Sequence, residues 1–292
     1  MELRKCVEDI LERNGFDYYG YYGCFDIIAR RKQIILIKIL GNVDSFQEEQ
    51  AKNLKIISRS LNATASLIGT HTRREKLKDN VIYERFDIPA FTPNTLEHIV
   101  SNDLPIIQRN RGGYFAKVSS EKLRANRNNK DITQTELADM VGITKKSIYE
   151  HESRDMDMQY DIAVKIEKIV GNIILPTNIN VEFKNIENRP HDRFEKIVSN
   201  DLSKLGFKTD FVYKTPFNII AKETQFLLFS DADENEKHIE RNIPYMEGFS
   251  KISKKPVLII TKNESAFGLP TIEERELKEI TKKELKKIVK KQ

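Results

Sequence analysis

An internal repeat constrains this chain more than any local propensity, because two copies of one pattern must share one fold. The stretch Phe25–Lys38 (FDIIARRKQIILIK) aligns without gaps on Phe217–Ser230 (FNIIAKETQFLLFS). Outward from it, Gly15 and Phe16 match Gly206 and Phe207 after one gap, and Ala65–Gly69 (ASLIG) matches Val257–Thr261 (VLIIT). Thr92–Val100 (TPNTLEHIV) resembles Thr281–Val289 (TKKELKKIV) around a shared leucine and Ile-Val pair. The expectation is two copies of one domain on either side of a segment of different character.

Within the first copy, Leu3, Val7, Ile10 and Leu11 recur at helical spacing before Gly15, which predicts an amphipathic helix over residues 2–14, and residues 194–205 repeat it. Tyr18–Tyr22, Cys24–Arg30 and Gln33–Leu40 are rich in β-branched and aromatic residues and read as strands. Ser45–Leu61 is polar with Ala51, Leu54, Ile57 and Leu61 on one stripe, a second helix that leads into the apolar strand Ala65–Gly69. The order is α-β-β-β-α-β. The expected fold class is therefore α+β or α/β and multidomain. Duplicated domains are expected at 1–100 and 193–292, a β linker or wing at 101–118, and an all-α domain at 119–175.

That element order, with an aspartate in the second strand and a lysine in the third, resembles the restriction-endonuclease-like fold. The likeness is greatest to the resolvase branch, whose strands read like Asp-Ile-Ile-Ala and then Glu-x-Lys. Chemistry in that family needs two carboxylates on a divalent metal and a lysine that assists the attacking water. By the resemblance, Asp26 and Lys38 stand at the first acid and the lysine, but Leu36 stands at the second acid. In the other copy Asn218, Leu228 and Ser230 replace all three. A hard cation facing Leu36 loses a charged ligand. The copies thus read as degenerate nuclease scaffolds with no catalytic or metal-binding residues, and Asp26 with Lys38 as a strand-end ion pair.

The central segment contains Leu123–Arg127 (LRANR) and Ile132–Glu152 (ITQTELADMVGITKKSIYEHE). Thr133 is a good N-cap and Glu136 follows three residues on, a capping box that opens a helix. Leu137, Ala138 and Val141 face its core, and Gly142 falls where the chain must turn sharply, since glycine takes positive φ without a Cβ penalty. Ile143 tucks inward, and Thr144 caps a further helix with Ile148 buried. Lys145, Lys146, Ser147, Tyr149 and Glu150 are left to solvent. A last helix, Gln159–Val170, closes the bundle before Gly171, and Gly112–Val118 ahead of it reads as a short strand or hairpin.

This segment resembles the Cro/CI helix-turn-helix family over the whole motif. The resemblance implies that the helix opening at Thr144 enters the major groove of double-stranded DNA. The implied DNA-binding residues are Gln134, Thr144, Lys145, Lys146, Ser147, Tyr149 and Glu150. Lys145 and Lys146 are candidates for guanine edges or phosphates, Ser147 for phosphate or base, Glu150 for a cytosine amino group and Gln134 for a phosphate. Arg127 and Glu152 match a buried ion pair of such repressors.

Net charge, +5 from 49 Lys and Arg against 44 Asp and Glu, is too small to decide a nucleic-acid partner. Locally, Arg109–Arg154 carries ten basic residues against six acidic ones, which favours phosphate contact and salt-sensitive binding. Cys6 and Cys24 alone support neither a disulfide framework nor a zinc site and fit a reducing cytoplasm. The longest apolar run, Ile34–Leu40, is broken by Lys38, so neither a signal peptide nor a membrane span is expected. The full arrangement, with Tyr83–Ala90 (YERFDIPA) before the central motif, is similar to an archaeal family of helix-turn-helix transcriptional regulators. It implies a cofactor-free, non-enzymatic regulator that binds double-stranded DNA as a homodimer. Two alternatives stay open: a metal-dependent DNA-processing nuclease targeted by the helix-turn-helix, and a protein-interaction adaptor docking through Lys282–Lys291.

Overall fold

The computed structural model describes residues 2–180, 183, 186–262 and 267–291. Helix α1 (Glu2–Arg13) leads into strands β1 (Asp17–Gly20), β2 (Ile27–Arg30) and β3 (Ile34–Ile39), helix α2 (Glu48–Leu61) and strand β4 (Thr64–Ile68). Next come β5 (Val81–Arg85), β6 (Ile88–Phe91), α3 (Pro93–Val100), β7 (Ile107–Asn110) and β8 (Gly113–Val118). The central run is α4 (Ser120–Asn128), α5 (Gln134–Val141), α6 (Lys145–Ser153), β9 (Met156–Gln159), α7 (Tyr160–Val170) and β10 (Ile174–Leu175). There follow α8 (Arg193–Lys204), β11 (Lys208–Phe211), β12 (Ile219–Glu223), β13 (Phe226–Ala232) and α9 (Glu236–Ser253). The chain closes with β14 (Val257–Thr261), β15 (Thr271–Glu273), α10 (Glu274–Glu279) and α11 (Lys282–Ile288). Two compact units result, one of residues up to Ile39, Ser45–Ser66 and the chain from Asn180, the other of Leu40–Asp44 and Leu67–Ile179. Among the described residues no helix is long and apolar enough to cross a membrane.

The first unit contains two sets of elements in the same order. In one, α1 buries Val7, Ile10 and Leu11, and β1, β2 and β3 form an antiparallel meander. In the other, α8 is capped by Asp192, whose carboxylate accepts from the Glu195 amide at 2.8 Å, and β11, β12 and β13 repeat the meander. Strands β14 and β15 then add in parallel, over a core of Phe194, Val198, Leu202, Ile219, Leu258 and Leu285.

The gap-free match of Phe25–Lys38 on Phe217–Ser230 does not survive in three dimensions. The Asp26 amide donates to the Ile37 carbonyl, whereas the Asn218 amide donates to Ser230, one position further along β13. The cause is the hairpin. Three residues separate the paired Arg30 and Ile34, but Lys222 pairs with Leu227 across a turn that holds Thr224 at φ 43. With this extra residue, Phe229 and Asp231, not Leu228 and Ser230, stand where Leu36 and Lys38 stand in the first set.

The two sets pack on each other. Helix α9 lies against β1 and β2, and the rings of Phe217, Phe229 and Phe249 meet at 4.6 to 4.7 Å, with Phe25 at 6.3 Å from Phe249. Tyr21 meets Tyr245 edge-on at 5.0 Å. A Cβ on Gly248 would fall 2.4 Å from the Tyr19 ring, so α9 approaches β1 through bare backbone. Polar contacts frame this core. Arg30 donates to the carbonyls of Ile252 (3.2 Å) and Ser253 (3.1 Å) at the end of α9, and Arg59 pairs with Asp210 at 2.9 Å. Burying each phenylalanine is worth roughly 1.5–3 kcal/mol, and tilted or edge-on rings add to that.

In the second unit β4 ends in parallel pairing with β6, which is antiparallel to β5; β5 runs parallel to β7, and β7 and β8 form a hairpin. Strand β8 pairs on its other side with β9, and beyond the hairpin its Lys117 and Val118 pair with β10 on the side of β7. Helices α4 to α7 share one core with these strands: Ala116, Val118 and Met158 pack with Leu123, Leu137, Val141, Ile148 and Ile166. The central segment is therefore not all-α. Met158 points inward from β9 while Asp157 and Gln159 are exposed, a two-residue alternation too short to register beside the helical pattern around it. Replacing Phe249 by alanine is expected to destabilise the first unit by about 3–5 kcal/mol, read as a fall in the urea midpoint with the transition slope retained.

Candidate nucleic-acid interface

Helix α4 is capped by Ser119, and Asp155, from beyond α6, accepts both the amide and the hydroxyl of Ser120 at 2.8 Å. At the other end of α4, Arg127 is buried. Its Nε and Nη2 donate to the two carboxylate oxygens of Glu152 at 2.6 and 3.1 Å, and its Nη1 donates to the Ile132 carbonyl at 2.6 Å. Gln134, half-buried at the start of α5, donates its amide to the same Glu152 at 2.7 Å. One buried carboxylate thus binds α4 and α5 to α6, and Arg127 adds the loop before α5.

Helix α5 opens with the capping box of Thr133 and Glu136, and the two hydrogen bonds from Thr133 hold the Glu136 carboxyl below its ordinary pKa. It ends at Gly142, at φ 77, whose amide and that of Ile143 both donate to the Ala138 carbonyl. Positive φ is the conformation that glycine takes without cost. Thr144 then caps α6, accepting from the Ser147 amide at 3.1 Å, and Ile148 is fully buried below. This leaves Thr144, Lys145, Lys146 and Tyr149 exposed, Tyr149 at 60 %, with Ser147 and Glu150 half-buried. Lys146 lies 3.9 Å from Glu150, an exposed pair that contributes little to stability. Six of the seven expected residues thus share α6 and its cap, and Gln134 is drawn inward.

His151 was not expected to matter. Buried on α6, it contacts the carbonyls of Ser147 (2.8 Å) and Asp157 (3.3 Å) and ties the helix to β9. Its spacing of four from Ser147 is the one sequence signal of this, and a common one on helices. Removing one partner of the Arg127–Glu152 pair leaves a buried charge uncompensated. Glu152→Ala is expected to cost about 3–5 kcal/mol in chemical denaturation followed by circular dichroism, more than Glu150→Ala.

At the position of the nuclease centre, Asp26 uses both oxygens internally, accepting from Lys38 Nζ at 3.0 Å and from the Ile39 amide at 2.7 Å. Lys38 also donates to the Gly23 carbonyl at 2.8 Å, and Leu36 is fully buried. A divalent cation held as in that fold does not fit residues so engaged. In the second set Asn218 makes the corresponding bonds to Ala232. Asp231 replaces the lysine, buried and contacted by Asn242 at 3.0 Å. The helix position eleven residues before the glycine is Arg4 in one set and Glu195 in the other. The second set is thereby acidic where the first is basic, and its side chains line a cleft of about 1000 Å³.

Burial raises the pKa of Glu195 and pushes that of Asp231 up to about 6. The folded chain holds the Asp231 proton more tightly than the unfolded chain does. Its ionised form therefore costs stability above about pH 6, and the cost fades as pH falls through the ordinary carboxylate range. Asp231→Asn is expected to raise the unfolding free energy near neutral pH by up to about 3 kcal/mol, with the gain lost in acid, as read from thermal melts across pH.

A family model described as a PD-(D/E)XK superfamily domain matches residues 1–106. A protein of Pyrococcus furiosus named "Putative HTH-type transcriptional regulatory protein" is 35% identical over 233 residues, 76% of this chain and 73% of the relative. A protein of the same printed description from Methanocaldococcus jannaschii is 30% identical over 294 residues, 95% of this chain and 92% of the relative. No solved structure matches. With α5, its glycine turn and α6 in the region these relatives cover, the chain belongs to this archaeal family of HTH-type transcriptional regulatory proteins.

Proposed function

We propose that the chain is a sequence-specific regulator of transcription that reads double-stranded DNA with α6, in the manner of a Cro/CI-type helix-turn-helix. The observation that carries this reading is the exposure of Thr144, Lys145, Lys146 and Tyr149 on α6 above the buried Ile148. The major groove admits an α-helix, and the N-terminal residues of such a helix reach base edges. Lys145 and Lys146 meet guanine edges or phosphates, Ser147 a phosphate or base, Tyr149 a thymine methyl group and Glu150 a cytosine amino group. Gln134, with one amide hydrogen committed to Glu152, meets a phosphate with the other. The names of the relatives support the same reading.

The α-β-β-β-α-β sets within 1–100 and 193–292 are, on this proposal, a duplicated nuclease-like scaffold around a DNA-binding domain at 119–175, with 101–118 as linker or wing. Each chain carries one α6, so a palindromic operator with half-sites about 34 Å apart engages a homodimer, in the cytoplasm. A nuclease is the second reading, favoured by the family-model match over residues 1–106. Cutting of duplex or branched DNA with magnesium or manganese, abolished by Asp26→Ala, would establish it instead.

Selection of bound fragments from genomic DNA gives the site and its symmetry. On that site, Lys145→Ala and Lys146→Ala are each expected to cost about 1–3 kcal/mol where the lysine reads a base, or to lower the salt slope by about 0.9 where it meets a phosphate. Unchanged affinity and slope in both would remove α6 from the interface.

A further inference from the structure

We infer that the lysine face of α11 is a second, sequence-independent site for the phosphate backbone of DNA. The inference rests on the DNA-binding reading above but uses a different surface. Helix α11 and the turn after it carry Lys282, Lys283, Lys286, Lys287 and Lys290, which line one shallow depression by themselves. One carboxylate serves two of them: Glu223, at the end of β12, receives Lys282 at 2.9 Å and also Lys286. These two bonds hold the Glu223 carboxyl below its ordinary pKa. The helix's own acid, Glu284, is turned back onto Thr281 in a capping box. Lys283, Lys287 and Lys290 are exposed.

Like charges at i,i+4 on a helix destabilise the folded chain. The repeat supplies a control for whether the fold requires them. Helix α3 has the same threonine cap, Thr92, and the same buried leucine, Leu96, as α11 has in Thr281 and Leu285. Yet Pro93, Asn94, Glu97 and His98 stand where α11 has Lys282, Lys283, Lys286 and Lys287. Cap and core therefore make this helix without lysines, and the lysines answer to something outside the fold. A polyanion fits, because each neutralised phosphate releases counterions and the like-charge repulsion falls on binding. The face has no apolar anchor for a lipid surface, since Leu285 and Val289 are buried.

The test uses the full chain and the triple variant Lys283→Ala, Lys287→Ala, Lys290→Ala, titrated by fluorescence anisotropy against a random-sequence duplex and the selected operator over a salt series. Unaltered melting confirms folding, and the arginine triple variant should bind as the parent does. The alanine variant is expected to lose about tenfold or more in affinity for both duplexes at low salt, and its slope of log K against log salt should fall by about 3. The ratio of operator to random affinity should stay unchanged. Lys145→Ala with Lys146→Ala should do the opposite, lowering the ratio. An unchanged slope and affinity in the α11 variant overturns this inference alone, and so does capture of phosphatidylserine vesicles in place of DNA. If the parent binds no duplex, both readings fall.

Discussion

The Arg127–Glu152 pair holds the candidate interface together. A guanidinium and a carboxylate removed from water lose several kcal/mol of hydration each, and mutual attraction compensates only when geometry is good and the remaining donors are used. Here both conditions are met. The bonds are bidentate, the third Arg127 donor reaches the Ile132 carbonyl, and Gln134 adds a donor to Glu152. Because a misplaced helix would strand a charge in the core, the pair penalises other arrangements of α4, α5 and α6. The exposed face of α6 inherits its position from this buried contact.

In the first unit the same physics has been applied to what would be a metal centre. Asp26 and Lys38 satisfy each other, Asn218 satisfies Ala232, and Asp231 leans on Asn242. These side chains are turned inward and bonded within the fold. This is the arrangement within a stretch that matches a PD-(D/E)XK superfamily domain over residues 1–106, in a chain whose relatives are named as regulators. Helix α9 of one set meets β1 and β2 of the other through Phe25 with Phe249 and Tyr21 with Tyr245, so the two sets stabilise each other within one chain.

Much of this was legible in the order of residues. Thr133 with Glu136, Gly142, and Thr144 with Ser147 are local signals, each read within four residues, and their helices and turn lie where those signals put them. Amphipathic α1, α2 and α8 were legible for the same reason, since burial on one face leaves a periodic trace. The register of β13 was not. A one-residue insertion in a hairpin is invisible to an alignment that scores similar apolar residues on both sides, and it moved the key position from Ser230 to Asp231. Strand β9 and the bond from Asp155 to Ser120 escaped because both depend on a partner more than thirty residues away.

The amino-acid order alone settled helices α1, α2, α5, α6 and α8, the caps of α5 and α6, and which face of α6 stays wet, because these follow from short-range sterics and periodic burial. Only the folded chain decided that Gln134 turns toward Glu152, that Asp26 is consumed by Lys38 and Ile39, and that the central helices share a core with strands. Those outcomes depend on which distant groups compete for the same hydrogen bonds, a contest that no window of neighbouring residues contains.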